Sequence, residues 1–299
     1  MKRLIALCLG ACMALTGCSR VPKYHYDVRQ DLGIYFTNAD AVIESIREAM
    51  HRRDWQITIS YSSHQDNMEV IGTLVRELME CALDETDSPE EGDYLRQQYG
   101  GYEMRYHYRR EGEQYLYEIY IQPQYYTTAE QECAVSERVQ EILDDLPICR
   151  TSTDVEKVEA VCSYLCDHVQ YDEVHAKNPN HHLKSTAYAA LIQKRAVCQG
   201  YAVTAYRLLR ELGVGVRVIT GTAEKNGVTE PHAWNLVCVD GAWYHLDVTW
   251  EQQSRDGTYF LRSDANFTDH QRDEMYTGAT FDEQYPMAAD DTLLHKKEN

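Results

Sequence analysis

Cys198, His232 and Asp247 are the residues whose types could together carry covalent chemistry. A thiolate is a strong nucleophile, an imidazole can take up and return a proton, and a carboxylate can orient that imidazole. Cys198 directly precedes the apolar stripe of a helix that is predicted to end at Gly213. The unpaired N–H groups at a helix N-terminus favour negative charge, so this position suits a thiolate nucleophile. Position alone also allows a buried structural cysteine at the start of a helix.

The histidine and the carboxylate are predicted to lie on two strands joined by a tight turn at Asp240-Gly241. A loop of two or four residues there places Asp247 opposite Trp234, as a diagonal neighbour of His232 on the same face of the sheet. A loop of three residues would turn one strand over and separate the two side chains. If the helix start that bears Cys198 packs over this face, the three residues form a nucleophile, a base and an orienting group.

Two other groups of residues were weighed as sites. His245 lies on the same predicted face, nearer the turn, and is predicted to pack or to support the site rather than to react. Cys162, Cys166 and His168 lie close together on a predicted helix. A zinc site needs four convergent ligands, and no second matched pair accompanies them. The two cysteines are therefore predicted to be buried thiols, and no metal site is predicted.

The elements that position these residues fall into two predicted domains. Residues 37–128 are predicted to form a small α/β domain, because helical stripes and segments of period two follow one another. Its many tyrosines suit amphipathic packing or a platform that binds carbohydrate or peptide. Residues 84–93 interrupt both patterns and are predicted to be a solvated loop. Residues 129–262, two helices followed by the segments described above, are predicted to form the catalytic domain. Residues 263–299 are predicted to be an acidic C-terminal tail, with apolar spots that could pack on the core at Phe267, Tyr276 and Phe281.

The N-terminus predicts export and a lipid anchor. A short basic start is followed by an apolar stretch, and Leu15-Thr16-Gly17-Cys18 resembles a bacterial lipobox. Residues 1–17 are therefore predicted to be a lipoprotein signal peptide, with Cys18 as the lipidated residue and residues 18–36 as a tether. An uncleaved anchor or a buried helix is the alternative. The predicted protein is attached to the cell membrane and works outside the cytosol.

The composition excludes one class of partner and leaves the cysteines to be assigned. The chain has 299 residues and a formal net charge of −19, so it repels a phosphate backbone and is predicted not to bind nucleic acid. Ten cysteines fit an oxidising compartment, a metal site or a thiol enzyme. Two leave with the signal peptide, Cys18 takes the lipid and Cys198 reacts. The others are predicted to be mostly buried packing thiols, although their even number allows disulfides: Cys81, Cys133, Cys149, Cys162, Cys166 and Cys238.

Three blocks of the sequence resemble the bacterial branch of the transglutaminase-like superfamily, in the order found there. They are Ser185–Gly200, then His232-Ala-Trp-Asn, then Trp243-Tyr-His-Leu-Asp-Val-Thr-Trp250. The segment from Val155 to Asp172, which ends in Val-Gln-Tyr-Asp, also resembles the helix that opens this core. The likeness covers about residues 150–262.

The resemblance implies an α+β fold of the papain and transglutaminase type, in which the helix bearing the nucleophile packs on an antiparallel sheet. It implies that Cys198 is the nucleophile, that His232 is the general base and acid, and that Asp247 orients His232. The expected activity is hydrolysis of peptide or protein amides, for example in the cell wall or in surface proteins, through an acyl-enzyme. Protein crosslinking and a non-catalytic binding module are the alternatives.

The chain also departs from the family pattern at the oxyanion site. Animal members have a tryptophan directly after the nucleophile, whereas this chain has Gln199. The expected donors to the oxyanion are the backbone N–H of Cys198 and, as side-chain helpers, Tyr188, Tyr171 or Gln199. A calcium loop of the animal type is not evident, so neither a metal nor another cofactor is expected.

Overall fold

The computed structural model describes residues 39–291 and has the predicted mixed α+β architecture. A smaller leading unit and a larger unit each have their own hydrophobic cluster. Within residues 39–291, no helix combines the length and the apolar character needed to cross a membrane. The predicted signal peptide, Cys18 and the tether lie outside the described residues, so they stay predictions.

The leading unit is a three-stranded antiparallel sheet with helices packed against it. Its elements are α1 (Ala39–His51), β1 (Ile57–Ser63), α2 (Ile71–Ala82), α3 (Asp93–Arg96), β2 (Tyr99–Glu111) and β3 (Gln114–Tyr125). The strand order is β1-β3-β2. Ile59 of β1 lies opposite Ile119 of β3, and both side chains are buried beneath the apolar stripes of α1 and α2. The helical stripes and the segments of period two predicted for this part of the chain are confirmed.

Residues 84–93 are not the solvated loop that their composition predicts. Asp93 is fully buried, and Arg217 Nε of the larger unit donates a hydrogen bond to its Oδ2 at 2.7 Å. The Tyr206 hydroxyl donates to Glu85 Oε2 at 2.8 Å. These acidic groups can be buried because a buried arginine compensates their charge. That arginine is far away along the chain, so the local pattern gives no sign of it.

The larger unit packs helices against a four-stranded antiparallel sheet. Its elements are α4 (Ala129–Asp145), α5 (Asp154–His168), β4 (Gln170–Tyr171), α6 (Ala187–Leu191), β5 (Arg195–Ala196), α7 (Cys198–Glu211), β6 (Val216–Lys225), β7 (Val228–Val239), β8 (Ala242–Leu246), α8 (Val248–Ser254), β9 (His270–Arg272) and α9 (Ala279–Gln284). The sheet order is β8-β7-β6-β9. Helix α7 packs on β6 and β7, and most of its residues are buried. The predicted core, a helix bearing Cys198 on an antiparallel sheet, is therefore present.

The hairpin of β7 and β8 has the predicted register. Asp240 and Gly241 form a two-residue turn and both have positive φ, at 52° and 83°, as a tight hairpin turn of this kind requires. Leu236 lies opposite His245, as the turn predicts. Strand β8, however, ends at Leu246, whereas the alternating sequence predicts that it continues further.

Residues 263–291 belong to the folded larger unit, so the prediction of a tail beginning at residue 263 is wrong for this segment. Strand β9 pairs antiparallel with β6 and forms one edge of the sheet. Phe267 and Tyr276 are buried and Phe281 packs against the same cluster, as their apolar character predicts. The acidic residues between them occupy the outer surface, which explains why composition alone suggests a tail.

Candidate active site

Cys198 is the first residue of α7, directly after the short strand β5, which pairs in parallel with β4. The first turn of α7 is pressed against the preceding segment. A Cβ on Gly200 would lie 2.7 Å from the Cβ of Ala196 and 3.0 Å from the Lys184 carbonyl oxygen, so glycine is required there. Cys198 is partly buried against the larger core. Its N–H is among the groups at a helix start that have no partner within the helix.

His232 lies on β7, opposite Gly221 of β6, and its side chain is largely buried. Its Nε2 lies 2.8 Å from Asp247 Oδ2, and the ring also interacts with Cys198. Since Nε2 faces the carboxylate, Nδ1 is the nitrogen that faces the thiol. Burial lowers the pKa of His232, but the Asp247 carboxylate and the contact with Cys198 outweigh this effect and raise the pKa to about 10. The imidazolium is therefore stabilised beside the thiol.

Asp247 reaches His232 from a different element than the sequence predicts. It is the N-cap of α8, and its Oδ1 accepts hydrogen bonds from the N–H groups of Thr249 (2.9 Å) and Trp250 (3.2 Å). Burial raises the pKa of this carboxyl, but the His232 cation and the hydrogen bonds hold it well below its usual range. The expected juxtaposition of Asp247 and His232 is present. A helix cap produces it, whereas the sequence predicts a diagonal pair on two strands.

His270 is the neighbour of the site that the sequence patterns miss. Its Nε2 lies 3.2 Å from Asp247 Oδ2, and its side chain is fully buried. It comes from β9, in the segment predicted to be a tail. A strand of three residues has no usable periodicity, and a single histidine after Asp269 has no telling spacing. The only local signal is Gly221, a glycine inside a strand, which often marks a close approach of another backbone.

The predicted oxyanion donors lie in different surroundings. Gln199 Nε2 donates to the Gln97 carbonyl at 2.6 Å, so this side chain is turned toward the leading unit and away from the expected role. Tyr188 packs partly buried against the larger core. Tyr171 lies opposite Ala196 at the end of β4, and burial, followed by the charge of Cys198, raises its pKa. Tyr171 therefore lies close enough to Cys198 for a charge on the thiolate to act on its hydroxyl.

His245 is buried behind the site and does not contact Asp247. Its Nδ1 accepts a hydrogen bond from Trp234 Nε1 at 2.9 Å, and its Nε2 faces Asp264 Oδ1 at 2.7 Å. Burial lowers the pKa of His245. A cavity of about 470 Å³ lies beside it, with Asp264 and Arg272 among its lining residues. These contacts fit the supporting role predicted for His245.

Two groups of side chains in the described part of the chain could hold a metal ion. One is His232, Asp247 and His270 itself, and the other is Asp172, His175 and His181, each with its ligand atoms within 4.8 Å of one another. In the second group the Asp172 carboxylate is already bonded to His175 Nδ1 at 2.8 Å. Cys162, Cys166 and His168, for which no metal site is predicted, belong to neither group.

The described cysteines form no disulfide with one another, and their burial differs from the prediction in part. Cys81, Cys162 and Cys166 are buried, as expected, whereas Cys133 and Cys149 are exposed. Hydrogen bonds from the Thr151 and Ser152 side chains lower the pKa of Cys149 to about 7. The chain therefore has a second thiol that can be expected to react with alkylating reagents, and labelling experiments must separate it from Cys198.

Part of the chain that holds the site is similar to a described family. Residues 147–248 match the model of the transglutaminase-like superfamily. The chain is 30% identical over 118 residues to kyphoscoliosis peptidase of Homo sapiens, a match that covers 37% of this chain and 18% of that protein. It is 28% identical over 148 residues to kyphoscoliosis peptidase of Mus musculus, covering 46% and 22%. The matches therefore span only about a fifth of the length of these relatives.

Two solved structures are also similar. One is the crystal structure of a TGase, with a TM-score of 0.37 and 22% identity over 60% of this chain and 50% of that chain. The other is a candidate cysteine protease from Cytophaga hutchinsonii, with a TM-score of 0.33 and 14% identity over 50% and 65%. The family match includes Cys198, His232 and Asp247 and ends before His270. The similarity to the transglutaminase-like superfamily therefore covers residues 147–248, about a third of this chain.

Proposed function

We propose that the protein is a cysteine-dependent hydrolase of peptide or protein amides, held at the outer face of the cell membrane by a lipid on Cys18. The observation that carries the catalytic part is the position of His232, whose side chain interacts with Cys198 and whose Nε2 lies 2.8 Å from Asp247 Oδ2. A nucleophile, a base and an orienting carboxylate in series are the machinery of acyl transfer.

The first half of the proposed reaction forms an acyl-enzyme. The Cys198 thiolate attacks the amide carbonyl carbon, a C–S bond forms, and the carbonyl electrons move to oxygen. When the tetrahedral intermediate collapses, the C–N bond breaks and His232 Nδ1 gives its proton to the departing amine. The products are the free amine, a thioester on Cys198 and a neutral His232.

The second half returns the enzyme to its starting state. Neutral His232 takes a proton from water as the water oxygen bonds to the thioester carbon. Collapse breaks the C–S bond and releases the carboxylic acid and the Cys198 thiolate. Through both halves the Asp247 carboxylate stabilises the imidazolium and fixes its orientation. The backbone N–H of Cys198 and the Tyr171 hydroxyl are the proposed donors to the oxyanion.

Hydrolysis is favoured over crosslinking on one ground. The proteins that share this part of the chain are named peptidases, which supports water as the acyl acceptor. Peptide crosslinks of the cell wall or surface proteins are the substrates that the proposed location makes accessible. A Cys18→Ala variant that stays in the membrane fraction would contradict the proposed anchor.

The test is proteolysis of a defined peptide library by the full chain in detergent micelles, in the presence of a primary amine. Mass spectrometry then counts new amino termini, which report hydrolysis, and amine adducts, which report transfer to an amine. Cys198→Ala should abolish the new termini. Cys149→Ser, which removes an exposed thiol with a lowered pKa, is the matched control and should leave cleavage unchanged.

Three results would change the assignment. Cleavage by Cys198→Ala at the wild-type rate would refute the proposed nucleophile. Amine adducts without new termini would assign the protein as a crosslinking acyltransferase. The absence of both products, together with retained peptide binding, would assign it as a non-catalytic binding module.

A further inference from the structure

Asp247 is shared between two histidines. His232 Nε2 and His270 Nε2 lie 2.8 Å and 3.2 Å from the same carboxylate oxygen, Oδ2. On its other side, His270 Nδ1 lies 2.8 Å from Asp269 Oδ1. The carboxylate oxygens of Asp247 and Asp269 therefore face the two ring nitrogens of His270 from opposite ends. His270 is therefore bonded from both ends and cannot rotate without losing one contact.

The ring of His270 is also fixed by its neighbours. It stacks on Phe267 with ring centres 4.0 Å apart and meets Trp250 edge to face at 4.6 Å. The strand that carries His270 can occupy its place only because residue 221 is a glycine, since a Cβ at that position would lie 2.0 Å from the Gln271 carbonyl oxygen. The missing side chain of Gly221 allows β9 to approach β6, and this approach delivers His270 to Asp247.

Without His270, the fully buried Oδ2 of Asp247 would keep only its hydrogen bond to His232 among these contacts. The other oxygen is held by the first turn of α8, and rotation about the side-chain bonds could still swing Oδ2 away from His232. A buried carboxylate with an unfilled hydrogen-bonding position is costly, so the side chain would move or admit water.

We propose that His270 is a positioning residue of the Cys198 reaction, which holds Asp247 Oδ2 in line with His232 and so aligns His232 with the thiol. This inference rests on the proposed function for its catalytic readout. His270 does not touch the nucleophile or the reacting atoms, so it acts only through Asp247. The site thereby extends beyond the family match, which ends at residue 248.

Two variants separate positioning from packing. His270→Phe keeps an aromatic ring between Phe267 and Trp250 but removes both ring nitrogens. His270→Gln loses the ring and keeps an N–H donor that can reach the Asp247 carboxylate. If His270 positions Asp247, Gln retains more activity than Phe, and if His270 only packs, Phe retains more than Gln. His51→Phe is the control, since His51 is a histidine with a carboxylate partner, Glu90, and lies on α1 of the leading unit, away from Asp247.

The first readout is peptide hydrolysis by the full chain. We expect His270→Phe to lower kcat by between about 10- and 100-fold with KM within twofold, since small displacements of a catalytic group have effects of this size. His270→Gln should exceed His270→Phe in kcat by at least fivefold, and His51→Phe should stay within threefold of wild type. Equal or higher kcat for Phe than for Gln would overturn the proposal while leaving the proposed function intact, provided that Cys198→Ala is inactive.

The second readout does not require turnover. Iodoacetamide labelling of each full-length variant, followed by peptide mass spectrometry, gives the alkylation rate of Cys198 relative to that of Cys149 in the same molecule. Misalignment of His232 should lower this ratio at least fivefold in His270→Phe and less in His270→Gln. An unchanged ratio in His270→Phe would overturn the proposal even if no substrate is cleaved, and thermal unfolding of each variant verifies that it is folded.

Discussion

An asparagine at position 247 cannot satisfy both sets of contacts that the Asp247 carboxylate makes. One oxygen must accept the N–H groups of Thr249 and Trp250 at the start of α8. If the amide oxygen takes that place, the NH₂ group faces His232 Nε2, and two donors oppose each other. Neutral His232 then carries its proton on Nδ1. In that tautomer Nδ1 can no longer accept a proton from Cys198. The reverse orientation loses the helix cap, which costs about 1 kcal/mol.

The expected loss of activity in Asp247→Asn follows from the tautomer of His232. In a triad, an asparagine that fixes the wrong tautomer lowers turnover by about 10⁴-fold, so we expect kcat/KM of Asp247→Asn to fall by roughly 10³-fold or more. The alkaline limb of the pH profile should also move. In the wild type we expect this limb at about pH 10, because Asp247 and Cys198 raise the pKa of His232 to about 10, and in Asp247→Asn it should fall toward or below the ordinary value of 6.5.

The assay is a pH series of kcat/KM for the two chains and for Asp240→Asn. Asp240 is an exposed turn residue with φ of 52°, a conformation that asparagine also adopts, so this control should match the wild type. If Asp247→Asn keeps kcat/KM within twofold of wild type and its alkaline limb stays near pH 10, Asp247 does not orient His232.

Three further outcomes are expected. Gly221→Ala should displace β9, lower kcat, and reduce the free energy of unfolding, measured by urea titration, by about 1–3 kcal/mol. The control is Gly72→Ala, at an exposed helix position with open space around it, which should leave the free energy of unfolding unchanged or increase it. Gly200→Ala should shift the first turn of α7, because its Cβ would meet Ala196, and an unchanged alkylation rate of Cys198 would contradict this. Because the pKa of His232 is raised in the folded state, its protonation stabilises the fold fully below about pH 6.5, and this stabilisation is lost as the pH rises through about 10. The difference in urea midpoint between wild type and His232→Gln should therefore shrink across that pH window.

Local sequence patterns are sufficient to predict the positions of two of the three site residues, Cys198 and His232. The apolar stripe that ends at Gly213 fixes the helix, and with it the place of Cys198 at the helix start. The Asp240-Gly241 turn fixes the register of β7 and β8, and with it the face on which His232 lies. Both signals are local because helix periodicity and turn chemistry act over a few residues.

Asp247 lies beside His232, as the local pattern predicts, but it does so as the N-cap of a helix and not as a strand residue. The β-branched and aromatic residues that follow it favour a strand, but its side chain bonds the N–H groups of Thr249 and Trp250 and a helix begins there. The pairing of Asn235 with Leu246 is the last one in the ladder. A side chain that competes for backbone hydrogen bonds overrides the β propensity of its neighbours.

Contacts between distant segments could not be predicted. His270 depends on the approach of β9 to Gly221, and the burial of Asp93 depends on Arg217. Each of these polar residues lies in an acidic stretch that composition assigns to the surface. A buried charge is tolerated only with its partner, and a single sequence does not show which residue that partner is.

The most direct measurement is the capture of the acyl-enzyme by acid quench and mass spectrometry. The full chain, with the exposed Cys133 and Cys149 changed to serine, is mixed with the peptide library and quenched within the first turnover. We predict a thioester on Cys198 that hydroxylamine releases and that is absent when His232 is changed to alanine. Hydrolysis that proceeds without any acyl group on Cys198 would contradict the account.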